Sequence, residues 1–83
     1  MYEIFLSDEA KKQLKNLPKE VQEKIGSAIE RIKIRPYKFV KRLYNSKYYR
    51  TRVDDYRLIL DIKDTELIIY VIEIGHRRKI YKK

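Results

Sequence analysis

The chain has 83 residues, which is enough for one small domain but not for two lobes with a cleft between them. It contains no cysteine and one histidine, which excludes disulfide bonds, cysteine-ligated zinc, a cysteine nucleophile and a multi-histidine metal site. The net charge is +9, and thirteen Lys/Arg against six Asp/Glu follow position 35, so composition favours a polyanionic partner, although an acidic protein would satisfy the same charge.

Nothing in the chain indicates export or membrane insertion. The first residues contain no basic region followed by an apolar run, which argues against a signal peptide. The longest nearly apolar run, residues 67–74, is too short to span a bilayer. We therefore expect one domain over residues 1–83, located in the cytoplasm and without a membrane partner.

The first half of the chain predicts a strand followed by two helices. Residues 2–6 alternate weakly between polar and apolar side chains, as in a short strand. Ser7 is a suitable N-cap for a helix that continues to about Asn16. Pro18 can begin a second helix, whose apolar residues recur at helical spacing until Pro36 stops it. We expect the two helices to form an antiparallel hairpin that covers one face of a sheet.

The second half predicts a sheet. Residues 37–47 form a basic and aromatic connector, and strands are expected at 48–53, 56–62 and 67–74. The last of these is apolar at nearly every position, which is typical of a central strand. The order β-α-α-β-β-β predicts an α+β fold with a twisted, mainly antiparallel sheet and the helices on one face.

The strands at 48–53 and 56–62 form a predicted hairpin with a two-residue loop at residues 54–55. In this register Arg52 lies opposite Arg57, and Arg50 shares their face. Like charges directly opposite each other destabilise a sheet, but a phosphate held between guanidinium groups removes that cost. The alternatives are a solvated strand face, or arginines kept apart by a carboxylate such as that of Asp61.

A basic tail follows the last predicted strand. Its candidate functional residues, after Gly75, are His76, Arg77, Arg78, Lys79 and Tyr81. If the tail turns along the face that carries the arginines, it adds cations and an aromatic ring to the same site. A frayed basic C-terminus is the alternative interpretation.

These residues carry a resemblance to a known family. The pattern Tyr-Arg-x-Arg-Val-x-Asp-Tyr-Arg at 49–57, followed by a hydrophobic strand and by Ile-Gly-His-Arg and Ile-Tyr within 74–81, resembles the RelE/ParE toxin superfamily of bacteria and archaea. The order of elements agrees over the whole chain. The resemblance implies a small RelE-like fold and a toxin that forms a hetero-oligomer with a RelB-like antitoxin.

The resemblance also implies roles for individual residues. RelE-type members are endoribonucleases that cut mRNA in the ribosomal A site, beside the 16S rRNA, whereas ParE-type members poison DNA gyrase. The basic and tyrosine positions of the RelE pattern are all kept, which favours RelE. The expected catalytic residues are Arg57, Arg77 and Tyr81. The residues expected to bind RNA are Arg50, Arg52, His76, Arg78 and Lys79.

The expected reaction is attack of an RNA 2′-OH on the neighbouring phosphorus, which requires neither a metal nor a cofactor. Two departures stand out: Arg50 and Arg52 occupy positions where the pattern has lysine, and Asp54 occupies a turn position that is often glycine. Arginine is a poor general base, so the base is not assigned. The alternatives are a ParE-like gyrase poison, or a degenerate relative that only binds an antitoxin or nucleic acid.

Overall fold

The computed structural model describes residues 1–76 and has the predicted α+β fold. Its elements are β1 (Glu3–Leu6), α1 (Asp8–Lys15), α2 (Lys19–Ile34), α3 (Pro36–Phe39), β2 (Lys41–Arg42), β3 (Tyr49–Val53), β4 (Tyr56–Lys63) and β5 (Ile68–His76). The predicted order was incomplete, because α3 and β2 lie inside the segment expected to be a connector. These two elements have four and two residues, too few to produce a periodic pattern.

The five strands form one sheet in the order β1-β5-β4-β3-β2. Strand β1 pairs with β5 in parallel, and the other three pairings are antiparallel, as the prediction of a mainly antiparallel sheet required. Strand β5 was predicted to be central, and it does have a neighbour on each side. The middle strand is nevertheless β4, because β1 from the start of the chain adds to the outer side of β5.

The core lies between the helices and one face of the sheet. Its fully or almost fully buried side chains are Ala10, Ile25, Ala28, Ile32, Val53, Leu58, Leu60, Ile69, Val71 and Ile74. The apolar stripes of both helices pack against the sheet as predicted, although some of their residues are only partly buried: Leu14, Leu17, Val21 and Ile29. Burial of one such Leu, Ile or Val side chain stabilises the fold by about 1.5–3 kcal/mol, so this layer carries most of the stability.

Helix α2 is the longest helix, with 16 residues, and its end is determined by the sequence. Pro36 disfavours the helical conformation at the residue before it, and Arg35 adopts φ −140° and ψ 79°. Pro36 then occupies the first turn of α3, where its missing N–H costs nothing. Among residues 1–76, no helix has both the length and the apolar character that crossing a lipid bilayer requires.

Helix α1 closes the edge of β5 where β1 ends. The pairing of β1 with β5 stops at Val71. Beyond it, the Ser7 hydroxyl donates a hydrogen bond to the Ile72 carbonyl (2.6 Å) and accepts one from the N–H of Ala10 (3.0 Å), as an N-cap does. The Ile74 N–H donates to Oε1 of Gln13. The side chains of the N-cap Ser7 and of Gln13 in α1 thus replace the missing strand.

Candidate nucleic-acid interface

The β3–β4 hairpin has the predicted register. Val53 lies opposite Tyr56 across a two-residue turn, and Arg52 lies opposite Arg57. Asp54 begins the turn with φ 55°, a left-handed conformation that aspartate tolerates better than most residues. Residues that flank a two-residue loop exchange both backbone hydrogen bonds, so the next pair is a non-hydrogen-bonded one. In such a pair the facing Cα atoms are only about 4.5 Å apart, which brings the two arginines close together.

The other neighbour of Arg57 has no side chain. On the β5 side, Arg57 pairs with Gly75, and the next residue along this face of β5 is Glu73, which lies opposite Ile59. A row of Arg52, Arg57 and Gly75 therefore crosses the sheet on the face opposite the helices. The Asp61 carboxylate does not lie in this row, since it is opposite Tyr70 and 3.4 Å from the Lys63 ammonium group.

The arginines of this face differ in their exposure to solvent. Arg52 is exposed and Arg50 is half-buried, but the side chain of Arg57 is only 1% exposed. The sequence predicted an open face with three accessible guanidinium groups, and in this conformation that prediction is wrong for Arg57. Strand alternation shows on which face a side chain lies but not what covers that face.

Arg50 and Arg52 are available to a ligand. Within residues 1–76, neither side chain makes a hydrogen bond or an ion pair. Guanidinium groups on neighbouring positions of one strand face, without a carboxylate partner, are well suited to bind phosphate oxygens.

His76 does not join the arginines. It pairs with Tyr56 on the neighbouring strand, and the two rings form an edge-to-face contact with centroids 5.8 Å apart. Tyr56 in turn lies opposite the buried Val53, so alternation along the strands places His76 on the helix side of the sheet. The residues predicted after it, Arg77, Arg78, Lys79 and Tyr81, lie outside the described residues.

Sequence reasoning missed Lys41, which the structure brings to the same site. Strand β2 places Lys41 opposite Arg50. A cleft of about 370 Å³ is lined by Phe39, Lys41, Arg50, Thr51 and Arg52. The Thr51 hydroxyl donates a hydrogen bond to the Phe39 carbonyl (2.9 Å), which joins α3 to β3 at the bottom of this cleft.

A second cleft lies on the other side of Arg52. It has a volume of about 330 Å³ and is lined by Lys24, Ser27, Arg31, Arg52, Val53 and Asp54. The Lys24 ammonium group lies 3.1 Å from Asp54, and the Arg31 guanidinium lies 5.9 Å from the centre of the Phe39 ring. Arg52 therefore separates two basic clefts that line one edge of the sheet.

The charge of this edge is continuous in the sequence. From Arg31 to Val53, with Arg31 included, there are nine Lys/Arg and no Asp/Glu, together with five tyrosine or phenylalanine rings. Four of these cations line the two clefts: Arg31, Lys41, Arg50 and Arg52. A basic groove with interspersed aromatic rings is the combination that binds single-stranded nucleic acid.

A cluster of hydrogen bonds fixes the start of this edge. The Tyr2 hydroxyl donates to Oδ1 of Asp64 (2.8 Å), and the Tyr37 hydroxyl donates to both Asp64 oxygens (2.9 and 2.8 Å). Partial burial and the hydrogen bond to Asp64 raise the pKa of Tyr37 far above its usual value. Asp64 thus ties α3, which leads directly into β2, to the β4–β5 turn.

Comparison with protein families places nearly the whole chain in one of them. The family model described as "ParE toxin of type II toxin-antitoxin system, parDE" matches residues 4–81. No curated protein matches the chain.

Several solved structures share the fold. The toxin chain of the intact E. coli RelBE toxin–antitoxin complex superposes with a TM-score of 0.81 at 20% identity, covering 92% of this chain and 96% of that one. The archaeal RelE–RelB complex from Pyrococcus horikoshii OT3 gives 0.81 at 24% identity, covering 92% and 94%. The isolated E. coli RelE toxin gives 0.81 at 21% identity, covering 99% and 93%.

Proposed function

This chain belongs to the family of ParE toxins of type II toxin–antitoxin systems, and we propose that it inhibits translation as a ribosome-dependent endoribonuclease that cuts mRNA in the A site. The expected membership of the RelE/ParE superfamily is confirmed, and so is the RelE-like fold.

One observation carries the proposal: Arg50 and Arg52 lie on one strand face beside Lys41, with Arg57 directly across the hairpin. Arg50 and Arg52 make no ion pair within residues 1–76, so their guanidinium groups are available to anionic oxygens. The two clefts beside Arg52 give a polyanion a path along the sheet edge. RNA phosphates match the charge and the geometry of such a site.

The reaction we propose is an internal transfer within the RNA. The 2′-oxygen attacks the adjacent phosphorus, the bond from phosphorus to the 5′-oxygen breaks, and a 2′,3′-cyclic phosphate and a free 5′-OH result. The proton of the 2′-OH leaves during attack, and the 5′-oxygen receives one. Arginine cations stabilise the phosphate as negative charge accumulates on its non-bridging oxygens. The reactants need no metal, since the nucleophile belongs to the substrate.

We assign roles as follows. Arg50 and Arg52 bind phosphates on either side of the cut, and Arg57 and Arg77 hold the scissile phosphate. Tyr81 orients the 2′-OH. Arginine remains protonated and cannot act as the base, and His76 faces the other side of the sheet, so we assign proton transfer to Tyr81 assisted by ribosomal RNA.

The role proposed for Arg57 requires a movement within the protein. Its side chain is 1% exposed, so RNA cannot contact it in this conformation. The groups over Arg57 must move when substrate binds if Arg57 is to touch phosphate. Arg52 requires no such movement, which makes it the better position for a first test.

We also propose that the chain acts in the cytoplasm and is held by a RelB-like antitoxin in a hetero-oligomer. The similar toxins from E. coli and P. horikoshii were solved in complexes with RelB. The net charge of +9 and the open basic edge of this chain would attract an acidic segment of the antitoxin. An antitoxin segment that occupies the clefts beside Arg52 would exclude RNA from them.

A second candidate function, poisoning of DNA gyrase, is favoured by the family model, whose description names ParE and parDE. A gyrase poison has no need for a phosphate-binding arginine cluster. A third possibility is a relative that has lost catalysis and only binds its antitoxin or nucleic acid.

One experiment separates these functions. Purified protein is added to a cell-free translation extract, and the 5′ ends of a reporter mRNA are mapped, while supercoiling by DNA gyrase is assayed in parallel. Cuts on translated mRNA support the proposal, and inhibited supercoiling without cuts supports the second candidate. If neither effect is observed, only the binding role remains.

The chemistry is tested with the same reporter. A single 2′-deoxy nucleotide 5′ of a mapped cut removes the nucleophile, so cleavage at that position should stop while neighbouring sites remain cut. Cleavage that continues past the 2′-deoxy position would refute 2′-OH attack. Arg77→Ala and Tyr81→Phe variants test the roles given to the tail, and full activity in both would refute them.

A further inference from the structure

The loop between β2 and β3 presents one tyrosine to solvent almost completely. Tyr44 is 96% exposed, the highest exposure among the large hydrophobic side chains that the structure describes. Its ring makes no ring contact, cation contact or hydrogen bond with the rest of residues 1–76. The side chain therefore contributes nothing to the core.

The loop that holds Tyr44 is nevertheless well defined. The Leu43 N–H donates to the Tyr48 carbonyl (2.9 Å), and Nε of Arg42 donates to the Ser46 carbonyl (3.0 Å). The Ser46 hydroxyl accepts from the Tyr48 N–H (3.0 Å), and Asn45 takes a left-handed conformation with φ 58°, which asparagine favours. Backbone and side-chain bonds together hold Tyr44 at the tip.

The other two tyrosine rings of this segment, those of Tyr48 and Tyr49, lie close to cations. The Lys47 ammonium group lies 5.4 Å from the centre of the Tyr48 ring, and the Arg42 guanidinium lies 5.8 Å from that of Tyr49. Both cations are thus placed around the loop while the ring of Tyr44 stays open. A cleft of about 610 Å³ is lined by Arg42, Leu43, Tyr44, Asn45, Ser46 and Lys47.

This loop is continuous with the interface already described. It follows β2 directly, and β2 places Lys41 opposite Arg50. A strand of RNA whose phosphates lie along Lys41 and Arg50 would bring its next bases to the loop. Aromatic rings beside a basic groove bind single strands by stacking on successive bases.

We propose that Tyr44 stacks on an unpaired nucleobase, with Arg42 and Lys47 holding the phosphates beside it. This inference rests on the proposed RNA-directed function and adds a contact outside the arginine cluster. The base comes either from mRNA next to the cut or from an exposed nucleotide of ribosomal RNA, and the chemistry is the same in both cases.

The binding test uses the purified full chain and a fluorescein-labelled 12-nucleotide single-stranded RNA. Loss of one base stack predicts about 5- to 100-fold weaker binding by Tyr44→Ala. Tyr44→Phe and Tyr44→Trp keep a ring and should bind like the wild type. A matching oligomer without bases should bind wild type and Tyr44→Ala equally. Because Tyr44 is 96% exposed and its side chain makes no ring contact or hydrogen bond within residues 1–76, the midpoint of urea unfolding should not change.

The source of the base is found with ribosomes. If it belongs to ribosomal RNA, Tyr44→Ala weakens co-sedimentation with vacant ribosomes. If it belongs to mRNA, the variant binds vacant ribosomes normally but binds the oligomer and mRNA-programmed ribosomes less tightly. Equal binding by wild type and Tyr44→Ala in every arm overturns the proposal.

The outcomes also separate this inference from the proposed function. A wild type that cuts mRNA, with an equally active and equally tight-binding Tyr44→Ala, refutes the stacking role alone. A wild type that never cuts mRNA but binds RNA through Tyr44 refutes the nuclease alone. A wild type that binds neither RNA nor ribosomes refutes both.

Discussion

Strands β5 and β3 each run past the shorter strand beside them, and the two edges that result differ in their chemistry. Beyond Val71, the edge of β5 is closed by the Ser7 hydroxyl, which donates to the Ile72 carbonyl, and by the Gln13 side chain, which accepts from the Ile74 N–H. Beyond Arg50, β3 leaves its pairing with β2 and is bordered by the two basic clefts. We call these the closed edge and the basic edge.

The closed edge and the basic edge are protected from pairing with other chains in different ways. An uncovered strand edge invites pairing with other chains, and the closed edge removes that risk with neutral side chains from a helix. The basic edge is protected by charge instead, and under the proposed function the same charge binds RNA. Substitutions at the closed edge should therefore change stability, and those at the basic edge should change RNA cleavage.

The largest effect is expected at Arg52. Arg52→Gln should lower mRNA cleavage by about 10- to 150-fold, because it removes charge-assisted hydrogen bonds to a phosphate that flanks the cut. It should change the free energy of unfolding by no more than about 0.5 kcal/mol, because Arg52 is exposed and makes no ion pair within residues 1–76. Lys11→Gln, on the exposed face of α1, removes the same charge and should alter neither quantity.

Cleavage of the reporter mRNA in the translation extract measures the activity of Arg52→Gln, and urea unfolding measures its stability. Full activity of the Arg52→Gln variant would show that Arg52 does not belong to the site. A destabilised variant would show that the Arg52 side chain makes contacts that stabilise the fold.

At the closed edge, Gln13→Leu should lower the free energy of unfolding by about 1–3 kcal/mol, because the Ile74 N–H loses its acceptor. Gln13→Glu keeps an acceptor oxygen and is the matched control, although its charge faces Glu9 one turn earlier and costs a few tenths of a kcal/mol. Urea unfolding measures both. Equal stability of the two variants would show that the edge is closed by something other than this bond.

Ser7→Ala should cost about 0.5–2 kcal/mol, the usual effect of losing an N-cap. Ser7→Thr retains the hydroxyl and should be nearly neutral. Ser7→Asp can still cap the helix but cannot donate to the Ile72 carbonyl, so its stability should fall between the two. If Ser7→Asp equals Ser7→Thr, the bond to β5 contributes nothing measurable.

The smallest effect is a pH dependence at the start of the basic edge. The pKa of Tyr37 is raised in the folded protein, so the folded state holds this proton more tightly than the unfolded chain does. The resulting stabilisation is complete below about pH 10, the ordinary tyrosine pKa, and declines as the pH rises above it. The stability advantage of wild type over Tyr37→Phe should shrink between pH 9 and roughly pH 11 in urea titrations, and a constant difference would refute the link.

Local patterns predicted the parts of the molecule that depend on neighbours in sequence. The two-residue turn at residues 54–55 fixed the register that places Arg52 opposite Arg57, and alternation assigned their face. The helical stripes predicted the buried Ile25 and Ile32 in the same way. Each of these rests on a period or a turn within a few residues.

Contacts between distant parts of the chain were not predictable by the same means. Gln13 meets Ile74 across 61 positions, and β1 pairs with β5 although neither segment specifies the other. The burial of Arg57 was missed because alternation says nothing about a covering layer. Lys41 was missed because β2 has only two residues.

The buried guanidinium of Arg57 has a consequence for the order of events in time. Since RNA reaches Arg57 only after the groups above it move, a conformational step must precede bond cleavage if Arg57 holds the scissile phosphate. When that step is the slower one, replacing a non-bridging oxygen of the scissile phosphate with sulfur leaves kcat unchanged. The rate of mRNA cleavage would then be limited by a rearrangement of the protein. The speed of translation arrest would depend on that rearrangement and not on the chemistry of the RNA.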